Sequence, residues 1–277
     1  MSHQALTDEQ VDRFIEDGFT HLEEVVSPQV VASGRNAIWD DLKESPHEPT
    51  SWTRPVVRLL PSDAAPFKAA FEDARLSTAL DQLVGARRWQ PRPDLGLFVV
   101  RFPHHRDPGD TGWHIDSSFA PEDVVTEDFD FSHWRVNVTS RGRALLMLFL
   151  FSDVGPDDAP TRIRVGSHSD VPPILLPAGH DGMDGTAVAE LAADASRSRP
   201  VALATGAAGD VYLCHPFLVH AAQPMRGTTP RFMAQPPLAE KEPLRLERPD
   251  GAYSPVEVAI RRGLTSPVGP ADSLGRN

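Results

Sequence analysis

The sequence predicts a mainly β protein with flanking helices, a jelly roll carrying its N-terminal helices on the outside, and three observations carry that expectation. The first third reads as capped amphipathic helices. From Leu97 the texture changes to short apolar or alternating runs divided by Pro, Gly, Asp and Ser, the pattern of strands joined by turns. Finally, residues of metal-ligating type stand beside an early and a late strand segment, which a barrel would bring together.

The first helix starts at Thr7, with Gln10 completing a capping box, and Val11, Phe14 and Ile15 form an apolar stripe that ends before Gly18. A second begins at Ser27-Pro28, cap then first-turn proline, and carries Val30, Val31, Ile38 and Leu42. A third is expected from Pro66 to Val84, broken near Ser77, with Gly85 beyond its end.

Strands are expected at Leu97 to Phe102, Trp113 to Ser117, Ala144 to Phe151, Thr161 to Val165, Val201 to Ala204, Val211 to Cys214 and Arg231 to Ala234. After Glu240 the chain is polar and Pro-rich apart from one short helix, started by Ser254-Pro255 and stopped at Gly263. These boundaries describe one domain over residues 1–277: a helical part at about 6–85, a jelly-roll core at about 95–237, and a tail at 240–277.

A net charge of -12 removes the electrostatic footprint expected for nucleic acid or an anionic membrane surface and says little about a small-molecule substrate, which is the expected partner, with no obligatory protein partner implied. A local basic pocket remains compatible with it. Arg54, Arg58, Arg87, Arg88, Arg101, Arg162 and Arg164 are candidates, although solvated surface charge is the plainer reading for most of them. One cysteine, Cys214 in an apolar run, forbids an intramolecular disulfide and reads as core. Met1-Ser2-His3-Gln4 lacks the layout of a signal peptide, and the longest apolar run, Ala144 to Phe151, is too short to span a bilayer; a cytoplasmic protein is expected.

The chemistry centres on His114-Ile115-Asp116, on His220 roughly a hundred residues later, and on Arg231. Side chains two apart on a strand share a face, so His114 and Asp116 point the same way. Two imidazoles and a carboxylate occupy one face of a six-coordinate ferrous ion and leave the other face for a cosubstrate and dioxygen. A guanidinium just beyond the last ligand suits the far carboxylate of 2-oxoglutarate, whose 2-oxo acid end chelates iron.

About one His-x-Asp triplet is expected by chance in this composition, and a second exists, His168-Ser169-Asp170. The first is preferred because it follows an apolar strand and leaves most strand segments between itself and His220. His104 and His105, with Asp107 and Asp110, read as a solvated loop rather than a second metal site. Trp113 and Phe119 read equally as pocket lining and as core, and His215 as a structural histidine.

Gly112-Trp113-His114-Ile115-Asp116, the segment from Ala159 through Val165-Gly166-Ser167-His168, and Gly209 to Leu213 with His220 and Arg231 together resemble the phytanoyl-CoA hydroxylase family of Fe(II)/2-oxoglutarate dioxygenases. The helical opening, Leu6 through Phe19, is also similar, and the likeness covers residues 6–237. The resemblance implies a double-stranded β-helix with His114, Asp116 and His220 as iron ligands, Arg231 on the 2-oxoglutarate carboxylate and Trp134 reaching the cosubstrate. It also implies that Gly166-Ser167-His168 is a loop near the site. Val165 stands where the family often has Pro. Ala222 stands where it often has a Ser or Thr that assists the cosubstrate, which leaves Thr228 or Thr229 as the assisting hydroxyl.

The expected activity is hydroxylation of an unactivated C–H bond with release of succinate and carbon dioxide. Desaturation, epoxidation or ring formation draws on the same oxidising power. Asp116 argues against halogenation, since related halogenases have a small residue there. Twenty-four Arg against three Lys suggest a GC-rich bacterial coding sequence, and with it secondary metabolism. Acyl-CoA 2-hydroxylation is the alternative within the family. Outside it stand a metal-dependent hydrolase or isomerase on a cupin-like barrel and a non-catalytic binding barrel.

Overall fold

The computed structural model describes residues 4–122, 131 and 133–265. The helices are α1 (Asp8–Asp17), α2 (Pro28–Asp41), α3 (Ala65–Phe71), α4 (Ala74–Val84), α5 (Pro172–Leu175), α6 (Gly185–Ala195) and α7 (Pro255–Thr265). The strands are β1 (Phe19–Leu22), β2 (Val56–Leu59), β3 (Phe98–Arg101), β4 (Arg135–Val136), β5 (Leu145–Leu150), β6 (Thr161–Arg164), β7 (Met183–Asp184), β8 (Val201–Ala204), β9 (Val211–Cys214), β10 (His220–Ala221), β11 (Arg231–Ala234) and β12 (Pro237–Leu238). Among the described residues no helix is long and apolar enough to cross a membrane.

The large antiparallel sheet has the order β1-β9-β5-β11-β3-β2, with β12 also paired to β5. A smaller sheet, β10-β6-β8, faces it as the second layer of a jelly roll, and β4 pairs with β7 apart from both. Strand alternation divides the core. Leu146, Leu148 and Leu150 of β5 meet Ile163, Tyr212, Cys214 and Met233 between the sheets. Leu145, Met147 and Phe149 point the other way, into a larger core built with the helices. Burial on both faces explains why β5 reads as a continuous apolar run.

Local signals position the helices. Thr7 and Gln10 exchange capping bonds at the start of α1, and Gly18 at φ 86° turns the chain directly into β1. The expected third helix is two helices. Its break lies at Glu72-Asp73 rather than near Ser77, because the Asp73 carboxylate accepts from Arg75 N and Leu76 N and starts α4 afresh.

Three further differences have simple causes. β1 and β2 lie inside the stretch read as helical; four residues each, they are too short to show a period of two. Trp113 to Ser117 forms no ladder. His114 exchanges backbone bonds with His220 at 3.0 and 2.9 Å, and the next partner, Arg135, belongs to another segment. Helix α7 runs past Gly263 to Thr265, and that glycine serves close approach: a Cβ there would stand 2.7 Å from Ser169 O.

Candidate metal centre

His114 and His220 are backbone neighbours across the seam that continues the small sheet, and Asp116 follows two residues after the first. Among the described residues this is the one group of three His, Cys, Asp or Glu side chains whose ligand atoms converge, all within 4.8 Å of one another. Asp116 Oδ1 stands 3.8 Å from both His114 Nε2 and His220 Nε2.

The remaining ring atoms set the tautomers. His114 Nδ1 lies 2.9 Å from Gly112 O and His220 Nδ1 3.0 Å from Leu218 O. A carbonyl only accepts, so each Nδ1 carries the proton and each Nε2 presents a lone pair to the centre. Burial, with His114 beside it, lowers the pKa of His220 to about 4 and keeps it neutral.

Asp116 has opposing influences. Burial works to raise its pKa, but the Arg143 guanidinium and the two imidazoles outweigh burial and bring it to about 2. Arg143 Nη1 donates to Asp116 Oδ2 at 2.9 Å and Nη2 donates to Ser117 O at 3.0 Å. The carboxylate thus has one oxygen held by protein and the other turned to the histidines. Two imidazoles and one fixed carboxylate are the donor set that suits a divalent iron centre with open positions.

Exposure falls along the site. The His114 side chain is 39% exposed and that of Asp116 28%, His220 falls to 8%, and Arg231 lies deeper, buried between the sheets. Arg231 stands directly opposite Arg101 in the β11–β3 register, so both point the same way. Its Nη1 donates to Ala159 O at 2.5 Å, and its Nε has no partner. Burial, helped by Arg101 and opposed by Asp110, lowers its pKa to about 9, which leaves it charged at neutral pH.

Arg101 donates to Asp110 at 2.7 Å, and Asp110 also takes Arg58. Burial works to raise the Asp110 pKa, and the two arginines outweigh it and lower it. One carboxylate therefore bonds two guanidiniums, and Arg231, opposite Arg101, has no carboxylate bonded to it among the described residues. Two of the basic candidates read from sequence, Arg58 and Arg101, meet here. Arg162 and Arg164 instead lie over the Trp113 ring, 4.7 and 4.4 Å from its centroid.

The other candidates lie elsewhere. Thr229 lines a cleft with Trp39, Ser152 and Phe232 that contains none of the triad. Trp134 packs against Phe131, and its Nε1 is buried without a partner. The second triplet is tied up: His168 Nε2 bonds Ile15 O at 3.0 Å, while Asp170 takes two bonds from Arg199. His104 and His105 stack on each other in their loop. Cys214 is buried in the intersheet core, which pushes its thiol pKa up.

Two side chains were not anticipated. Arg143 meets Asp116 across 27 positions; nothing local marks it. Thr161, read only as strand, puts a buried hydroxyl between the sheets, 3.7 Å from Met233 Sδ and two residues from the carbonyl that Arg231 uses. Alternation within β6 was the available signal.

Comparison with known proteins follows from this geometry. A family model described as phytanoyl-CoA dioxygenase (PhyH) matches residues 14–233. No curated protein matches by sequence. HygX from Streptomyces hygroscopicus, solved with nickel, 2-oxoglutarate and hygromycin B, is similar in fold, with TM-score 0.51 and 16% identity over 85% of this chain and 87% of that one. The α-ketoglutarate-dependent carbocyclase SnoK from nogalamycin biosynthesis has TM-score 0.53 and 17% identity over 90% of each chain. EctD from S. alaskensis, with 2-oxoglutarate and 5-hydroxyectoine, has TM-score 0.53 and 21% identity over 87% and 78%. At these identities the likeness to solved structures is one of fold.

Proposed function

Because the chain belongs to the phytanoyl-CoA dioxygenase family, we propose that it is an Fe(II)- and 2-oxoglutarate-dependent oxygenase that hydroxylates an unactivated C–H bond of a small molecule. His114, Asp116 and His220 are the iron ligands and Arg231 anchors the far carboxylate of 2-oxoglutarate. Iron, 2-oxoglutarate and dioxygen together supply the oxidising power, giving succinate, carbon dioxide and the oxidised substrate.

The observation that carries the reading is the convergence of three ligand atoms, together with a buried arginine to which no carboxylate is bonded among the described residues. The protein's own part is positional. The backbone carbonyls of Gly112 and Leu218 aim the imidazoles, Arg231 holds one end of the cosubstrate, and the apolar layer between the sheets excludes water beneath it. For the cosubstrate's second contact, Thr161 faces the interior while Thr229 lines the separate cleft, so Thr161 is the better supported hydroxyl.

A substrate from bacterial secondary metabolism is the finer reading. The Arg-over-Lys bias supports it, as does the role in nogalamycin biosynthesis of SnoK, which is similar in fold.

Anaerobic titration of metal-free protein with ferrous ion and 2-oxoglutarate tests the assignment through the weak visible band of the chelate. Wild type and Asp170→Ala are expected to develop the band, Asp116→Ala to lose it, and Arg231→Ala to need at least tenfold more 2-oxoglutarate. A wild type without the band would move the hydrolase and binding-barrel readings ahead.

A further inference from the structure

We propose that Arg143 is a positioning residue for the metal centre. It restrains Asp116 to one ligating oxygen and so keeps open a coordination position that the carboxylate would otherwise fill. The inference rests on the ligand assignment above and adds to it a residue outside the triad.

Three observations carry it. Arg143 grips both the side chain and the backbone of the ligand segment, through Asp116 Oδ2 at 2.9 Å and Ser117 O at 3.0 Å. A carboxylate with one oxygen in a charge-assisted bond is biased to present the other alone. Arg143 is itself almost wholly buried, and its Nε has no partner. A desolvated guanidinium with an unmet donor is costly, and among the described residues the bond to Asp116 is its one charged hydrogen bond.

The turn that aims Arg143 is also built at a cost. Ser140 takes φ 48°, a left-handed conformation costly for an L residue, and Gly142 takes φ 85°, which glycine adopts freely. Ser140 Oγ donates to Arg143 O at 2.7 Å, Arg143 N donates to Ser140 O at 3.0 Å, and Glu240 Oε1 accepts from Gly142 N at 2.6 Å. A Cβ on Gly142 would run into Ser118 O, so the turn is seated directly on the ligand segment. Strained backbone of this kind persists where the surroundings overdetermine it.

The test uses the full chain loaded with Co(II), whose visible absorption reports coordination number, in wild type, Arg143→Leu, Arg143→Gln and Arg143→Lys, with circular dichroism to establish folding. Arg143→Leu is expected to move the Co(II) spectrum toward the weaker absorption of a higher coordination number, because the freed Asp116 carboxylate adds its second oxygen. Arg143→Lys should recover most of the wild-type spectrum, and Arg143→Gln, which keeps a donor without the charge, should fall between. If Arg143→Leu fails to fold, the Gln and Lys variants carry the comparison.

A Co(II) spectrum unchanged across the folded variants would overturn the proposal while leaving the triad assignment in place. A wild type that binds neither Co(II) nor Fe(II) would overturn both. A merely structural role would lower stability without altering the spectrum of the metal-loaded protein.

Discussion

Ala159 takes φ 51°, a left-handed conformation that costs an L residue about 1–2 kcal/mol, and its carbonyl is the acceptor for Arg231 Nη1. Ala159→Gly removes that steric cost at the expense of some unfolded-state entropy. A net stabilisation of up to about 1 kcal/mol is expected in urea denaturation, with Arg231 still seated. At this scale the sequence disclosed residues whose chemical type is itself the signal. The roles proposed for His114, Asp116, His220 and Arg231 rest on donor type and spacing. Those of Arg143, Arg101 and Asp110 do not, because an ion pair's value depends on a tertiary path that brings distant residues together. Arg101 looks the same in sequence as any solvated arginine. Only its position opposite Arg231 in adjacent strands makes it part of the interior charge.

The element that sequence left without a role is the tail helix, α7. It packs against α1, α4 and α5, and its Glu257 is fully buried. That carboxylate accepts from Arg245 N, Ser254 N and two nitrogens of Arg248, which is itself buried. Burial opposes the Glu257 charge, and these donors outweigh it and lower its pKa. Removing one partner of a buried pair leaves the other uncompensated, so Glu257→Ala is expected to cost about 3–5 kcal/mol, read as a lower denaturation midpoint. Helix starts were legible because caps are local chemistry: Thr7, Ser27 and the Ser254-Pro255 step all mark real termini. Short strands were legible only where the run was apolar, as in β5. β1 and β2 owe their strand form to pairing at the two ends of the large sheet, which no four-residue window reveals.

For the molecule as a whole, a pair of buried histidines joins the helices to the sheets. His168 bonds Ile15 O of α1, and His215 Nε2 lies 3.4 Å from Val256 O of α7; their ring centroids are 4.9 Å apart. Burial lowers both pKa values, that of His168 to about 4 from 6.5. The unfolded chain therefore takes up protons first. The pair's contribution is complete above about pH 6.5 and is lost as pH falls toward 4, by roughly 1.4 kcal/mol per unit for each proton. Thermal melts of the metal-free protein between pH 7 and 4 should show this slope, and His168→Gln should flatten it. The two-sheet architecture was readable as a whole from strand count and motif order, whereas this junction was not, since the helix carbonyls that meet the two rings, Ile15 O and Val256 O, lie 153 and 41 positions away in sequence. Finally, the fall in exposure from His114 down to Arg231 imposes an order of traffic. Whatever reaches the arginine must pass the mouth while it is still clear, and whatever fills the mouth traps it. Steady-state kinetics should accordingly show compulsory arrival, dicarboxylate before the molecule to be oxidised, and succinate, last out through the same passage, should compete with 2-oxoglutarate alone.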